Sequence, residues 1–395
     1  VTTAADPAAA DRRRRPRNRK DQILVAAREL FVANGYASVS MAMIAEQVGI
    51  TAGALYRHFA NKAVLLERVI EDSFSYLDDP VTHIDYEDAV DEVIALVIDR
   101  PYLADLWTHE LRHLPEDKQR ALRRRMRVWN DSLRPALLSQ RPDLDPGQVE
   151  VLIWAIQSMI ACVGRQSFQL SVRGRIPAVR NGLRALTAAQ LVPTGSAVEH
   201  EPQQLLPHSM RERLLLAALD QFGRRGFQDT SMASLGAAVD VTGPNLYSYF
   251  GSKADLLRAV FERNSHALWL GLDVALATSR HPEEALGKLA HAYIAMARPW
   301  ASSVEYPRGG EYEQAEIVRT FRKEYMNEWV SLLVQTRPAL TQRQAHLRVQ
   351  LALYVVSDLY SNARLVRVDT FRANVAGLIL AVLLDGSSEE DSDPT

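Results

Sequence analysis

The chain has one cysteine, Cys162, among 395 residues, which excludes an internal disulfide. Set in the apolar run VLIWAIQSMIACVG, it reads as a buried, inert thiol rather than a reactive one. No uninterrupted apolar span reaches the ~18 residues of a membrane helix. The opening residues show no n-region, h-region and cleavage site in succession, so a cytoplasmic, soluble protein without a membrane partner is expected. The dinucleotide fingerprint G-x-G-x-x-G, the P-loop and the nucleophile elbow are all missing, and no cofactor, catalytic residue or metal ligand is assigned. Convincing alternating apolar–polar runs are also lacking, which argues against strands and for an all-α fold.

What is present is a duplication. Shifted by 191 positions, residues 22–71 align without a gap on residues 213–262. Identical pairs include Phe31/Phe222, Gly35/Gly226, Ser40/Ser231, Thr51/Thr242, Leu55/Leu246, Tyr56/Tyr247, Phe59/Phe250 and Lys62/Lys253. The apolar pairs are helically spaced and define a core; the polar pairs need another reason. Later segments repeat more loosely, with RPDLDPGQVEVLIWA facing RPALTQRQAHLRVQLA at an offset of 196. The expected organisation is a disordered basic arm over residues 1–18, a first head over 19–71 and a first helical body over 72–190. A proline-rich linker over 191–207 follows, then a second head over 208–262, a second body over 263–385 and an acidic tail over 386–395.

Each head reads as a helix-turn-helix. A first helix ends at Gly35, expected as a left-handed cap; Ser40 caps a short helix that ends at Gly49, Thr51 caps the next, and Asn61 caps a long one. Such a pair of short helices can lay the second in a major groove. Ala45, Val48, Ile50, Leu55 and Phe59 would hold the short helices to the first. Tyr56, His58 and Lys62 would contact phosphates, Arg57 a guanine edge or a phosphate, and the small Ala52 and Gly53 would admit the helix backbone close to the bases. The run DRRRRPRNRK, with Arg13, Arg14, Arg15 and Arg17, would reach the minor groove. The formal charge of -2 conceals this asymmetry: residues 11–62 hold ten basic and four acidic side chains, residues 208–253 five and four.

The stretch GITAGALYRHFANKAVLL closely resembles the helix-turn-helix of TetR-type transcriptional repressors, whose most recognisable positions are matched by Thr51, Leu55, Tyr56, His58, Phe59 and Lys62. The second copy keeps Thr242, Leu246, Tyr247, Phe250 and Lys253 and has Tyr249 in place of the histidine. The resemblance implies a three-helix DNA head followed by a larger helical effector-binding and dimerisation domain, twice in one chain. Ser40, Ser231, Thr242, Gly243, Pro244, Asn245, Tyr247, Ser248, Tyr249 and Lys253 complete the expected DNA-binding set. The heads diverge where bases would be read: Ala52-Gly53-Ala54 against Gly243-Pro244-Asn245, and Arg57 against Ser248. An intrachain pseudo-dimer on an asymmetric stretch of double-stranded DNA is therefore expected, with a further homodimer left open.

The bodies are expected to pack through helices over residues 146–169 and 342–364 as a four-helix arrangement. Trp107, Glu110, Arg112, Trp154, Gln157 and Phe168 are candidates for a small-molecule effector site. The segment LWTHELRHLPEDKQRALRRRM resembles the effector domain of a tandem regulator of lipid metabolism, which implies a lipid-related ligand such as an acyl-coenzyme A whose phosphates the arginines meet. Two alternatives stand beside this reading. One is a zinc-dependent hydrolase built on His109, Glu110 and His113, which match His-Glu-x-x-His but lack an evident third ligand. The other is an architectural DNA-binding protein without an inducer.

Overall fold

The structure, a computed structural model, describes residues 19–165, 168, 170–195, 206–241, 243–297, 313–362, 364–368 and 370–384; at 243–244 and 313–319 it describes the helix without the side chains. Arg13, Arg14, Arg15, Arg17, Thr242, most of the linker and the acidic tail lie outside the described residues. No strand occurs among the described residues, in keeping with the all-α expectation.

The first head is built from α1 (Arg19–Asn34), α2 (Met41–Val48), α3 (Ala52–His58) and α4 (Lys62–Ser73). Its helices start where oxygen-bearing side chains can satisfy otherwise orphaned backbone donors. Ser40 accepts from the Met43 amide, Thr51 from Ala54 and Asn61 from Val64. Gly49 closes α2 in the left-handed region, with φ of 70°. Gly35 also has positive φ, 78°, but ψ of 146°, so it is not the left-handed cap expected of it; this extended, positive-φ region is open essentially to glycine alone.

The second head repeats the plan in α11 (Met210–Arg225), α12 (Met232–Ala237), α13 (Gly243–Tyr247) and α14 (Lys253–Thr278). Ser231 and Ser252 cap at the duplicated positions, and Asp240 stands where the first head has Gly49, at φ of 59°. One difference is large. α4 stops at Ser73 and gives way to a 3-10 turn, whereas α14 runs unbroken to Thr278, through the expected boundary at residue 262.

The first body contains α5 (Tyr86–Asp99), a short α6 (Leu103–Asp105), α7 (Glu116–Asp131), α8 (Arg134–Gln140), α9 (Pro146–Ala161) and α10 (Val172–Ala188). The second contains the rest of α14, then α15 (Pro282–Met296), α16 (Glu313–Thr336), α17 (Gln342–Ser361) and α18 (Phe371–Leu384). α9 and α17 are duplicates at the 196-residue offset, and both open with a capping box, Asp145 with Gln148 and Thr341 with Gln344. Together with α10 and α18 they form the four-helix arrangement, although α9 and α17 end at Ala161 and Ser361, short of the expected limits. Val149, Leu152, Ile156, Val349, Ala352 and Val356 are buried there.

Polar groups also cross this seam, among them a partly exposed Arg364–Glu150 pair at 3.1 Å and a more buried one. The Arg165 guanidinium lies 2.7 Å from both carboxylate oxygens of Asp358, and the Ser158 hydroxyl donates to Asp358 at 2.6 Å. The offset pairs Arg165 with Ser361 and Asp358 with Cys162, so the ion pair has no mirror image. Burial opposes the charge on Arg165, but the Asp358 carboxylate more than offsets it and raises the guanidinium above its ordinary range. Cys162 is fully buried beside it, and burial pushes its thiol up to about 12, in keeping with an inert role.

The first head and both bodies share one continuous core. The second head has a separate core of its own, centred on Leu214, Phe222, Leu235, Leu246, Phe250 and Leu256.

Because a lone buried charge costs more than a buried pair, Arg165→Met alone should destabilise the protein by about 3 kcal/mol, and Arg165→Met with Asp358→Leu should recover most of that loss. Urea denaturation of the three proteins checks this; equal midpoints would show that the seam does not depend on the pair.

Candidate nucleic-acid interface

On α3, Leu55 and the following Phe59 are buried, while Ala52, Gly53, Tyr56, Arg57 and His58 are exposed. The second head presents Asn245, Tyr247, Ser248 and Tyr249 in the same way. Tyr56 and its counterpart Tyr247 are 52% and 56% exposed, so both rings are accessible, as are the residues that follow them. Pro244 falls in the first turn of α13, where its missing amide hydrogen costs nothing. Ser40 and Ser231 are exposed caps at the N-termini of α2 and α12, ends whose partial positive charge suits a phosphate.

Two residues expected at phosphates have another task. The Lys62 ammonium donates to the carbonyls of Tyr36 and Val39, at 2.8 Å each, and lies 4.3 Å from the centre of the Tyr36 ring. Lys253 repeats this on the carbonyls of Phe227 and Thr230, at 2.7 and 2.9 Å, and the Phe227 ring. Partial burial lowers the pKa of both lysines, and the Asp229 carboxylate opposes that shift in each. An ammonium has three hydrogens, and these are spent on the loop between the first and second helices of each head. The expectation that Lys62 and Lys253 serve the phosphates is therefore corrected: they are internal clamps, which explains why both copies keep them.

The effector candidates separate into three places. Trp107, Trp154 and Gln157 line one cavity of about 100 Å³ with Phe74, Met126 and Trp129, and Asp358 of the second half closes it. Beside it, a cleft of about 200 Å³ adds Arg123 and Arg127 to Trp107 and Trp154. Phe168 packs instead on Tyr354 at 5.4 Å between ring centres, which makes it part of the contact between halves. The second half has a space of about 530 Å³ among Leu268, Tyr293, Phe321, Tyr325, Tyr354 and Tyr360, which sequence reasoning missed. Its tyrosines are spread over three helices, and helical spacing alone does not separate a cavity wall from core.

Glu110 and Arg112 point elsewhere, and so does the His-Glu-x-x-His motif. The segment is not a regular α-helix: Leu106–Glu110 is π-helical and Leu111–His113 is a 3-10 turn. The Glu110 carboxylate accepts from the Tyr36 amide at 3.0 Å. The His113 ring lies 5.0 Å from the Tyr36 ring, and its Nδ1 is 3.1 Å from the Asp229 carboxylate. Burial lowers the His113 pKa, helped by Arg112 and opposed by Asp229. Among the described residues no group of three or more His, Cys, Asp or Glu is placed to hold a metal. Glu110 and His113 of that spacing instead contact the first and second heads.

If Lys62 is a clamp, Lys62→Met should cost the first head about 1–2 kcal/mol with no DNA present. Faster amide hydrogen exchange around residues 36–39 would register it, whereas unchanged exchange would return the ammonium to the phosphates.

The signature of bacterial regulatory proteins of the tetR family matches residues 23–69 and 214–260, the two heads. The chain is 48% identical over 55 residues to the nucleoid occlusion factor SlmA of Aliivibrio fischeri (strain MJ11), covering 14% of this chain and 28% of that one. It is 34% identical over 82 residues to the HTH-type transcriptional regulator UidR of Escherichia coli (strain K12), covering 20% and 42%. The matches thus span less than half the length of these relatives. The structure of the ketosteroid transcriptional regulator KstR2 of Mycobacterium tuberculosis aligns with a TM-score of 0.40 at 18% identity, over 45% of this chain and 95% of that one. Residues 23–69 and 214–260, the segments built as helix-turn-helix heads, thus each match the signature of bacterial regulatory proteins of the tetR family, in tandem on a single chain.

Proposed function

We propose that the chain is a ligand-responsive transcriptional regulator, acting as a repressor, that grips an asymmetric operator as a covalent pseudo-dimer in the cytoplasm. The observation that carries this reading is the contrast within the heads. The Ser40 and Ser231 caps and the lysine clamps are the same in both, while the exposed residues of α3 and α13 other than the Tyr56/Tyr247 pair differ. Duplicated architecture with divergent groove-facing surfaces suits two unlike half-sites, spaced by about one helical turn or a multiple of it.

Gly53 supports the reading independently. A Cβ placed there would meet no protein atom within 4 Å, so packing does not require glycine. Glycine inside a helix is about 1 kcal/mol worse than alanine, and close approach of the backbone to bases accounts for keeping it.

The effector would enter the first body. An apolar cavity lined by Trp107 and Trp154, with Arg123 and Arg127 in the adjoining cleft, suits a molecule with a hydrocarbon part and an anionic end. An acyl-coenzyme A has that form, in line with the resemblance to a lipid-metabolism regulator, the repressor of the third mammalian-cell-entry operon. A ligand releases DNA only by its differential affinity for the two arrangements of the heads. The architectural reading is favoured by the 55-residue likeness to SlmA, a nucleoid occlusion factor. A specific-to-nonspecific affinity ratio near one would select it.

Gly53→Ala should act with opposite signs on two measurements. It should raise head stability by about 0.5–1 kcal/mol and weaken operator binding. Thermal denaturation and a fluorescence-anisotropy titration check both, and unaltered DNA affinity would remove Gly53 from the interface. Exchanging Arg57→Ser with Ser248→Arg should move sequence selectivity from one half-site to the other; a footprint of two identical inverted half-sites in the unaltered protein would sink the asymmetric operator. Arg127→Ala should weaken release by a long-chain acyl-coenzyme A about tenfold and leave DNA affinity unchanged.

A further inference from the structure

The second head packs around a hydrophobic cluster of its own. Its core is separate from the core that runs through the first head and both bodies. α14 joins it to its own body, but one helix restrains tilt and rotation poorly. A second attachment exists, and it comes from the other half of the chain. The Leu106–His113 segment of the first body reaches the loop of the second head through His113 and Asp229, and Arg112 lies beside Gly226. The same segment holds the first head through Glu110 and the Tyr36 amide. A cleft of about 350 Å³ separates the two loops around this segment.

We propose that His113 and Asp229 are positioning residues that set the separation of the two heads, with Glu110 fixing the same strut to the first head. The assignment rests on the reading in which both heads grip one duplex. Three facts argue for it. The loops held by the strut are duplicates, residues 36–39 and 227–230, so it joins equivalent points of the heads. Asp229 occupies the position that is Ser38 in the first head, so the carboxylate belongs to one side alone. It acts electrostatically on Lys62 and Tyr36 of the first head, His113 of the strut and Lys253 of the second head, and so lies at the centre of the junction. The strut therefore meets the two heads through unlike contacts, a carboxylate on a backbone amide in one and an imidazole on a carboxylate in the other, and specifies an asymmetric head spacing. Trp107, a wall of the ligand cavity, lies within the same π-helical turn, so whatever fills that cavity acts on the element that spaces the heads.

Nitroxide labels on Ala42→Cys and Ala233→Cys, equivalent and exposed positions on α2 and α12, read the head separation in the full chain without DNA. The buried Cys162 stays unlabelled. The parent should give one narrow distance distribution. Asp229→Ala should widen it about twofold as the second head samples further orientations, while Asp229→Asn, which keeps an acceptor for His113, should leave it narrow. Asp220→Ala, which breaks an exposed pair with Arg224 on the same head, is the control and should change nothing. On operators whose half-sites are moved apart by roughly two base pairs, the parent should lose affinity about tenfold and Asp229→Ala less than about threefold. A distribution in Asp229→Ala identical to the parent overturns the proposal. If the distances respond but the parent shows no preference among operators, the strut stands and the reading of two heads on one duplex falls.

Discussion

Burial of α9 and α10 against α17 and α18 is the constraint on which the arrangement depends. Apolar faces packed at the density of a protein interior do not slide, so the two bodies act as one support for both heads. On the proposed reading of two heads on one duplex, the covalent link would make the second contact intramolecular, with an effective concentration set by the geometry of the support. In a symmetric dimer that seam would carry pairs of identical contacts. Here it carries the Arg165–Asp358 pair once, and its mirror positions hold Ser361 and Cys162.

Duplication released some positions and held others. The lysine clamps, the serine caps and the aromatic rings beneath the lysines occur in both heads because each closes the same loop by the same short hydrogen bonds. Positions that face outward carry no such burden. Asp229 and Ser38, Tyr249 and His58, and Ser248 and Arg57 differ without disturbing either core. Asp240 at positive φ shows how far the second copy departs even at a turn, since aspartate is among the few residues besides glycine that tolerate that region.

The local features were legible because their partners lie within a turn of the chain. Ser40, Thr51 and Asn61 all bond amides three residues on, and a cap followed by apolar periodicity is enough to place them. The two heads were legible for the added reason that they repeat. The misreadings share one cause: the partners are remote in sequence. Lys62 looks like a phosphate ligand until the carbonyls 23 and 26 residues earlier close on it. Glu110 looks like part of a metal motif or a pocket until it meets an amide 74 residues away. Phe168 meets Tyr354 in the other half of the chain.

The amino-acid sequence by itself determined an all-helical chain with two related helix-turn-helix heads, their caps, and the exposed residues in which they differ. These follow from periodicity, capping and internal comparison, which are properties of neighbours along the chain. Only the tertiary structure decided that the second head keeps its own core, that one segment of the first body touches both heads, and that a carboxylate of the second half closes a cavity of the first. Those outcomes depend on which distant surfaces meet when the seam is buried, and spacing along a chain does not encode distance across a fold.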